Sequence, residues 1–464
     1  MPFILGANET KATGFNVDNS IRFTRNDDSY LDRTFGTPTD RKKFTISFWL
    51  KRGNITVSGG TALFGSNGGN TSTFGTIHFN PHDDFCIGAA NGGSDVLNLQ
   101  TDRKFRDVGA WYHFCVAVDS TQATNTNRVK LYVNGIQETS FSTSTYPSEN
   151  EEFLFNMATK VHSIGRFPYG SDILSIDGYL TEFVFIDGTA NAVTDFGEFD
   201  EDSPTIWKAK DVSGLTFGSN GFYLDFEDSG DLGDDESGNE NDFAETNVAA
   251  TDQATDSCTN NFCTLNTLAF ENAGGINRIS EGNLRLDGGS STAHNLSVGT
   301  IAVNKGKWWF EAELDAIGGD HPQIGIRSVD VNNTLGQYVG EVTGGVGYAS
   351  NGTIAVDSSN VSTGGTTYTS GDLINVGLDL DNNKIYWYKN GSLLNSGGTT
   401  ITNRRYTFAV SQYSNTGHWF CNFGASAPYT ISSGNSDANG YGNFEHAPVS
   451  GYLSLCTKNL AEEG

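Results

Sequence analysis

Two groups of carboxylates have a spacing that could serve acid–base chemistry. Glu198, Asp200 and Asp202 share one face if their segment is extended, and Glu311 and Glu313 share a face in the same way. Cleavage of a glycosidic bond uses two carboxylates about 5–9 Å apart. The first group lies in an acidic stretch outside any core strand, and the second lacks a third acid. We therefore expect solvated carboxylates and no enzyme, with a glycoside hydrolase as the lesser alternative.

A second acidic segment has the composition of a calcium loop. Residues 234–242 read DDESGNEND, which offers many oxygen ligands around a glycine turn. Asp235, Asn239 and Asp242 are the candidate calcium ligands. The alternative is an acidic turn held by Asx hydrogen bonds, and the spacing does not match a helix–loop–helix calcium site.

Other catalytic signatures are missing from the sequence. The eight histidines are scattered, and no Ser-His-Asp set or phosphate-binding glycine loop is visible. The six cysteines form neither a zinc spacing nor a disulfide framework. We expect them to be reduced, with Cys115 acting as a small buried hydrophobe.

Composition indicates what kind of fold must position these residues. The 464 residues include 56 glycines, 31 phenylalanines, 17 tyrosines and 7 tryptophans, but only 9 prolines. Such a chain favours many short strands joined by tight turns. The 55 acidic and 28 basic residues give a net charge of −27, which argues against nucleic acid and anionic membranes as partners. No apolar run is long enough for membrane insertion, and the first residues do not resemble a secretory signal.

Alternation of apolar and polar residues predicts strands throughout the chain. Phe44, Ile46, Phe48 and Leu50 share a face, and residues 308–314 alternate as a half-buried strand. The strands predicted at 129–133 and 384–389 each run into Asn-Gly, which favours a type I′ hairpin. Between the two halves, residues 195–245 hold sixteen acids and two lysines. Because residues 221–226 alternate like a strand, we expect this connector to pack on a neighbouring domain.

Within residues 18–200, the first half contains WYHFCVAVD at 111–119, LYVNG at 131–135 and GYLTEF at 178–183. With these motifs it resembles a laminin G-like, concanavalin A-like jelly roll. The second half resembles a SPRY domain over residues 268–427, with GKWWFE at 306–311 and GDLINVGLDL at 371–380 as its main landmarks. These resemblances imply an all-β chain of two tandem antiparallel β-sandwich domains. The expected organisation is a laminin G-like jelly roll at 1–200, an acidic connector at 201–267 and a SPRY-like sandwich with a C-terminal extension at 268–464.

The pairing of these modules resembles structural proteins of marine tailed bacteriophages. That resemblance implies a non-enzymatic virion protein, in a tail fibre or spike, that recognises host-surface glycan. The alternative is a capsid-decorating or head-fibre protein, and the lesser alternative is a jelly-roll hydrolase. Expected partners are host glycan and other virion proteins, and the chain is expected to form a homo-oligomer, with a trimer favoured. The protein would be made in the host cytoplasm and reside in the virion.

Aromatic residues in polar, loop-like context are the candidate glycan-binding residues. A ring can stack on the apolar face of a pyranose while neighbouring polar groups bind its hydroxyls. SPRY domains bind through loops at one end of the sandwich, which favours the segment from Tyr413 to Trp419. The candidates are Tyr413, Trp419, Asn415, His418, Tyr338 and Tyr169.

Overall fold

The computed structural model describes residues 4–5, 14–70, 72–168, 174–269, 278–288, 294–319, 321–331, 337–363, 365–414 and 416–463. The chain divides into two compact units. The N-terminal unit comprises Ala12–Arg106 and Ala110–Thr259, and the C-terminal unit comprises Asn260–Gly464 with short segments at Met1–Lys11 and Asp107–Gly109. The described secondary structure is nearly all β, in mainly antiparallel sheets, as predicted. None of the described helices is long and apolar enough to span a membrane.

Two eight-stranded sheets form the N-terminal unit. The first sheet has its strands in the order Ile136–Gln137, Val129–Val133, Trp111–Asp119, Lys43–Arg52, Gly178–Asp187, Ser20–Phe23 and Gln253–Ala254, with Phe222–Leu224 also paired to Gly178–Asp187. The second has the order Phe141–Thr145, Ser94–Lys104, Asp84–Asn91, Thr73–Phe79, Thr61–Asn70, Val161–Ile164, Tyr30–Thr34 and Ala244–Thr246. A separate hairpin joins Gly197–Phe199 to Trp207–Ala209. Among the described residues of this unit, four 3-10 turns lie at Asn125–Asn127, Leu154–Asn156, Val193–Asp195 and Ala250–Asp252.

Residues 201–259 of the acidic connector belong to this N-terminal unit, whereas residues 260–267 belong to the C-terminal unit. Connector residues between Trp207 and Phe217 pack on the outer face of the first sheet. Phe44, Ile46, Phe48 and Leu50 face the core between the sheets, as the alternation predicts. Trp49, on the opposite face of the same strand, belongs to a second apolar cluster that connector residues complete. The strand Lys43–Arg52 is therefore buried on both faces over nearly its whole length.

The C-terminal unit is built on the same plan. Its larger sheet has the order Ile279–Ser280, Arg285–Asp287, His418–Asn422, Lys307–Ala316, Asp372–Asp379, Lys384–Lys389 and Ser392–Leu393. Two short strands also belong to it: Thr399–Thr400 pairs with Lys384–Lys389, and Leu453–Ser454 pairs with Lys307–Ala316. Its six-stranded sheet has the order His294–Val298, Tyr406–Tyr413, Gln323–Ser328, Gly345–Ala349, Ile354–Val356 and Ser359–Ser362. Ile4–Leu5 pairs with Ile301–Ala302 in parallel. The 3-10 turn Thr267–Ala269 and the helix Thr457–Glu463 complete the described elements.

The strand Lys307–Ala316 is buried on both faces over most of its length, so the prediction of a half-buried strand is wrong. Trp308, Phe310, Ala312 and Leu314 face the core between the sheets. Trp309 lies on the opposite face, where it packs with Phe444 and Tyr452 of the C-terminal extension. The sequence pattern alone did not reveal this second layer, because the covering residues lie more than a hundred positions away.

Both Asn-Gly hairpins adopt the predicted left-handed turn. Asn134 and Gly135 have φ of 48° and 76°, and Asn390 and Gly391 have φ of 47° and 77°. A Cβ on Gly135 would lie 2.2 Å from Cε3 of Trp207, so the turn closes directly on an indole ring. Glycine is needed there both for its backbone conformation and for the space.

We expect Gly135→Ala to lower the free energy of unfolding by about 2–4 kcal/mol, because left-handed strain and overpacking of Trp207 add together. Gly92→Ala is the matched control, since Gly92 also has a positive φ but no atom lies within 4 Å of the position that a Cβ would occupy there. The control should lose only about 1 kcal/mol. Denaturant unfolding of both variants measures the difference, and equal losses would show that Trp207 accommodates the methyl group.

Candidate functional site

Three aromatic rings meet at one end of the six-stranded sheet of the C-terminal unit. Tyr413 ends the strand Tyr406–Tyr413, and His294 begins the strand paired with it. The imidazole centroid of His294 lies 4.9 Å from the ring centroid of Tyr413 and 4.3 Å from that of Tyr338. Tyr413 and His294 are half-buried, so each ring retains an accessible part. The structure thus brings together two of the predicted glycan-binding residues and adds His294, which the sequence analysis missed.

A polar group lies on the neighbouring strands of the same unit. His418 Nδ1 is 2.6 Å from an Asp287 oxygen, and Arg285 Nε donates to that oxygen at 2.7 Å. The amide of Asn295, the residue after His294, donates to the Asp287 carbonyl at 2.8 Å. The aromatic rings and this polar group therefore belong to one end of the sandwich, and together they could contact a ligand that has both apolar and hydroxyl-bearing faces.

Trp419 is wrong as a glycan-stacking residue. It lies inside the strand His418–Asn422, is completely buried, and donates its indole N–H to the Ser411 carbonyl at 3.0 Å. Tyr338 is only 5% exposed, so it supports the His294 ring rather than offering a face of its own. Asn415 and Tyr169 lie outside the described residues.

A cleft at one end of the N-terminal unit was not predicted. Its volume is about 260 Å³, and it lies where the hairpins of the second sheet turn, beside the segment that follows residue 150. Amide, hydroxyl, charged and apolar side chains line it together. They include Arg41, Asn70, Thr73, Phe74, Asn91, Val96, Glu151, Glu152, Met157 and Lys160.

Charged groups in the cleft are already oriented by protein contacts. Arg41 forms an ion pair with Glu152 at 2.8 Å and donates to the Phe153 carbonyl at 3.1 Å. Lys160 donates to the Gly68 carbonyl at 3.3 Å. The cleft therefore presents fixed donors and acceptors beside the half-buried Phe74 ring, which suits a polyhydroxylated ligand better than a strongly charged one.

The predicted calcium ligands are used by the protein itself. Asp235 accepts hydrogen bonds from the Tyr223, Ser237 and Asn241 backbone amides and from the Ser237 hydroxyl, so both of its oxygens are occupied. Asn239 donates its amide to the carbonyls of Gly218 and Gly221. Asp242 accepts from the backbone amide of Asp235 at 3.2 Å.

These contacts match the alternative of an acidic turn held by Asx hydrogen bonds and do not fit a calcium ion. Within the described ranges, no group of three His, Cys, Asp or Glu side chains is arranged to hold a metal. The hydrogen bonds at Asp235, Asn239 and Asp242 therefore favour the acidic turn over the calcium site, because three backbone amides and the Ser237 hydroxyl occupy both Asp235 oxygens.

Glu311 is neither solvated nor placed for acid–base chemistry. It is fully buried and accepts hydrogen bonds from Asn375, from the Tyr429 hydroxyl and from the backbone amides of Glu445 and His446. Desolvation alone would raise the pKa of this carboxyl, but the hydrogen bonds from His446, Tyr429 and the backbone hold it below its usual value. Its role is to hold the C-terminal extension on the sheet.

The other carboxylate group lies on an exposed hairpin. Asp200 accepts from the backbone amides of Asp202 and Ser203, and its carboxylate lies 3.3 Å from Lys208 Nζ. Glu198 is 3.7 Å from the same ammonium group and is 53% exposed. Turn capping and a surface ion pair account for these acids.

A buried Ser–His contact occurs in the N-terminal unit, but its hydrogen bonds have the wrong polarity for a nucleophile. Ser47 Oγ is 2.8 Å from His113 Nε2, and the Trp207 indole donates to His113 Nδ1 at 3.0 Å. Because an indole N–H can only donate, Nδ1 is the acceptor and the neutral ring carries its proton on Nε2. Burial lowers the pKa of His113 to about 3, so the ring stays neutral. His113 therefore donates to Ser47 and does not activate it.

All six cysteines are free thiols, and Cys115 is fully buried as predicted. Burial raises the pKa of Cys86 to about 12, which keeps that thiol protonated at neutral pH. These are properties of packing residues rather than of reactive ones.

Two family models match the chain. Residues 23–192 match a laminin G-like model of the concanavalin A-like lectin/glucanases superfamily, and residues 307–416 match the SPRY domain model. The chain is therefore a tandem of a concanavalin A-like, laminin G-like domain and a SPRY domain, as the sequence resemblance implied. No curated protein sequence matches the chain.

Three solved structures illustrate what parts of this chain are similar to. The SPRY domain of human HERC1 is 16% identical, with a TM-score of 0.26, and the match covers 32% of this chain and 91% of that one. Another human SPRY domain is 18% identical, with a TM-score of 0.26 and coverage of 33% and 95%. The heptameric SAP-like pentraxin of Limulus polyphemus is 15% identical, with a TM-score of 0.29 and coverage of 38% and 80%.

Glu182 is the most perturbed carboxyl beneath the connector. It lies at the bulge of the strand Gly178–Asp187, with φ of 51°, and accepts the Tyr223 hydroxyl at 2.8 Å. Desolvation raises its pKa to about 8, and the nearby Asp225 and Glu227 carboxylates add to the shift. The folded protein therefore holds a proton on Glu182 at neutral pH.

Because the pKa of Glu182 is raised from 4.5 to about 8, protonation of its carboxyl stabilises the folded state. This stabilisation is complete below pH 4.5 and is lost as the pH rises through 8. We expect the wild-type free energy of unfolding to fall by up to roughly 5 kcal/mol across this window because of Glu182. Glu182→Gln keeps the hydrogen bond but cannot titrate, so its slope should be flatter. Urea unfolding at several pH values measures this, with exposed Glu198→Gln as the control. An unchanged slope in Glu182→Gln would contradict the assignment.

Proposed function

We propose that the chain is a non-enzymatic surface protein of a tailed-phage virion, in a tail fibre or spike, and that it binds host-surface glycan. The observation that carries the glycan part is the cleft of the N-terminal unit, where the Phe74 ring lies among fixed amide, hydroxyl and charged groups. A sugar ring needs this combination, because it has both an apolar face and a rim of hydroxyls.

The charges in the cleft favour a glycan over an ionic ligand. Arg41 is paired with Glu152, so the two side chains offer donors and acceptors to hydroxyl groups without a strong local field. Asn70 and Asn91 are exposed at the ends of their strands and add amide groups at the rim. The cluster of Tyr413 and His294 in the C-terminal unit is the second candidate site for the same ligand class.

The virion assignment is supported by sequence-level properties. The net charge of −27, the free thiols and the pairing of two sandwich modules are compatible with a protein assembled in a reducing cytoplasm. Under this proposal the chain forms a homo-oligomer, with a trimer favoured, and contacts other virion proteins. A capsid-decorating or head-fibre protein is the alternative location.

The glycan proposal predicts a difference between two aromatic variants. On an array of bacterial surface polysaccharides, Phe74→Ala should weaken binding roughly tenfold, which corresponds to about 1.4 kcal/mol of lost ring contact. Tyr413→Ala should bind like the wild type, and thermal unfolding should confirm that both variants are folded. The opposite pattern would move the site to the C-terminal unit. Wild-type binding to none of the polysaccharides would contradict glycan recognition.

The location can be tested on intact particles. Antibodies raised against the recombinant chain and labelled with gold should mark the tail or its fibres in electron micrographs of virions. Gold over the capsid would favour the decorating or head-fibre alternative. The absence of gold from virions that contain the chain in a western blot would show that it is internal, which would contradict a surface role.

A further inference from the structure

A lysine and an aspartate are enclosed together beneath the connector of the N-terminal unit. Lys51 Nζ lies 2.6 Å from Asp256 Oδ2, and the two side chains are 1% and 0% exposed. The other carboxylate oxygen, Oδ1, accepts the indole N–H of Trp111 at 2.9 Å. The centroid of the Tyr179 ring lies 5.8 Å from the Lys51 nitrogen. An amine and a carboxyl group are therefore held in contact inside an aromatic environment.

This pair differs from the other ion pairs that the described residues form. Lys104 also contacts an aspartate, Asp84, but its side chain is 41% exposed. Arg52 and Asp83 are both buried, yet a guanidinium stays protonated and is a poor nucleophile. In the described part of the chain, only Lys51 and Asp256 combine an amine, a carboxyl and nearly complete exclusion from water.

We propose that Lys51 and Asp256 join in an intramolecular isopeptide bond. A proton first passes from the Lys51 ammonium to Asp256 Oδ2, which leaves a neutral amine beside a neutral carboxylic acid. The amine nitrogen attacks Asp256 Cγ, and the new C–N bond places negative charge on Oδ1. A second proton moves from nitrogen to Oδ2, the C–Oδ2 bond breaks, and water leaves. The product is an amide, and no oxidant, reductant or other reactant is needed.

The surroundings favour each step of this condensation. Charge separation is costly in a low-dielectric interior, so proton transfer to the neutral pair is easier there than in water. Holding the reacting groups in contact replaces a bimolecular encounter by an intramolecular one. Trp111 donates to the oxygen that becomes negative, at the distance expected of an oxyanion donor. Exclusion of water also slows hydrolysis of the product.

The bond would fix the connector to the sheet that it covers. Lys51 lies in the strand Lys43–Arg52, whereas Asp256 follows the last strand of the unit, 205 positions later. A crosslink across so long a loop restricts the unfolded chain and so favours the folded unit. It would also keep the connector in place when the pH or temperature weakens its hydrogen bonds.

Intact mass spectrometry of the purified full-length chain tests the proposal. The expected mass is one water molecule below that calculated from the sequence, and a proteolytic digest should contain a branched peptide joining Lys51 to Asp256. The full calculated mass would overturn the proposal. Loss of water without the branched peptide would also overturn it, because a succinimide at Asp256–Ser257 gives the same mass change.

Variants distinguish a covalent bond between Lys51 and Asp256 from an ion pair without a bond. Asp256→Asn should give the same final mass as the crosslinked wild type, because the amide then forms with loss of ammonia instead of water. Lys51→Arg should keep its full calculated mass and give no branched peptide, whereas the control Lys104→Arg should still crosslink. Trp111→Phe removes the oxyanion donor and should leave a larger unreacted fraction. If Lys51→Arg fails to fold, the wild-type and Asp256→Asn masses still decide the question.

Discussion

A charged side chain removed from water must find its partner inside the protein, and each unit of this chain is completed around such a group. In the N-terminal unit the group is the ammonium that Lys51 carries before the proposed bond to Asp256 forms, and in the C-terminal unit it is the Glu311 carboxylate. Burying either charge without partners would cost several kcal/mol. Asp256 supplies the partner in the first case, and residues 429–446 supply it in the second. The segment that follows each sandwich is therefore bound to it by electrostatics as well as by apolar packing.

This constraint explains which features of the fold could be predicted from the sequence. Period-two alternation identified the inner faces of the strands that contain Phe48 and Phe310, and the Asn-Gly pairs identified both hairpins, because these signals are local. The outer faces were misjudged. Polar residues at alternate positions normally indicate solvent, and Glu311 has that pattern. Its backbone partner Glu445 lies 134 positions away, so no local signal reveals that the outer face is covered.

The candidate sites were also only partly predictable, because some of their residues are adjacent in sequence and others meet only in the folded chain. Tyr413 and Trp419 flank a polar turn, which made both look accessible. The structure shows that their surroundings differ. Trp419 points into the core, whereas Tyr413 is the last residue of its strand and is half-buried. His294 joins the site only through its register with Tyr413. The cleft was missed because Arg41 and Phe74 are brought together by tertiary packing rather than by spacing.

The covering segments also determine where ligands can bind. In both units the outer face of one sheet is covered by another segment of the same chain. The polar groups of that face therefore already have partners inside the protein. The candidate ligand-binding residues lie instead at strand ends: Asn70 and Asn91 around the cleft, and Tyr413 with His294 in the other unit. The covered faces thus contribute stability, and under the proposed function the strand ends remain available for ligand recognition. Substitutions at the ends can consequently change a ligand preference without exposing Lys51 or Glu311 to water.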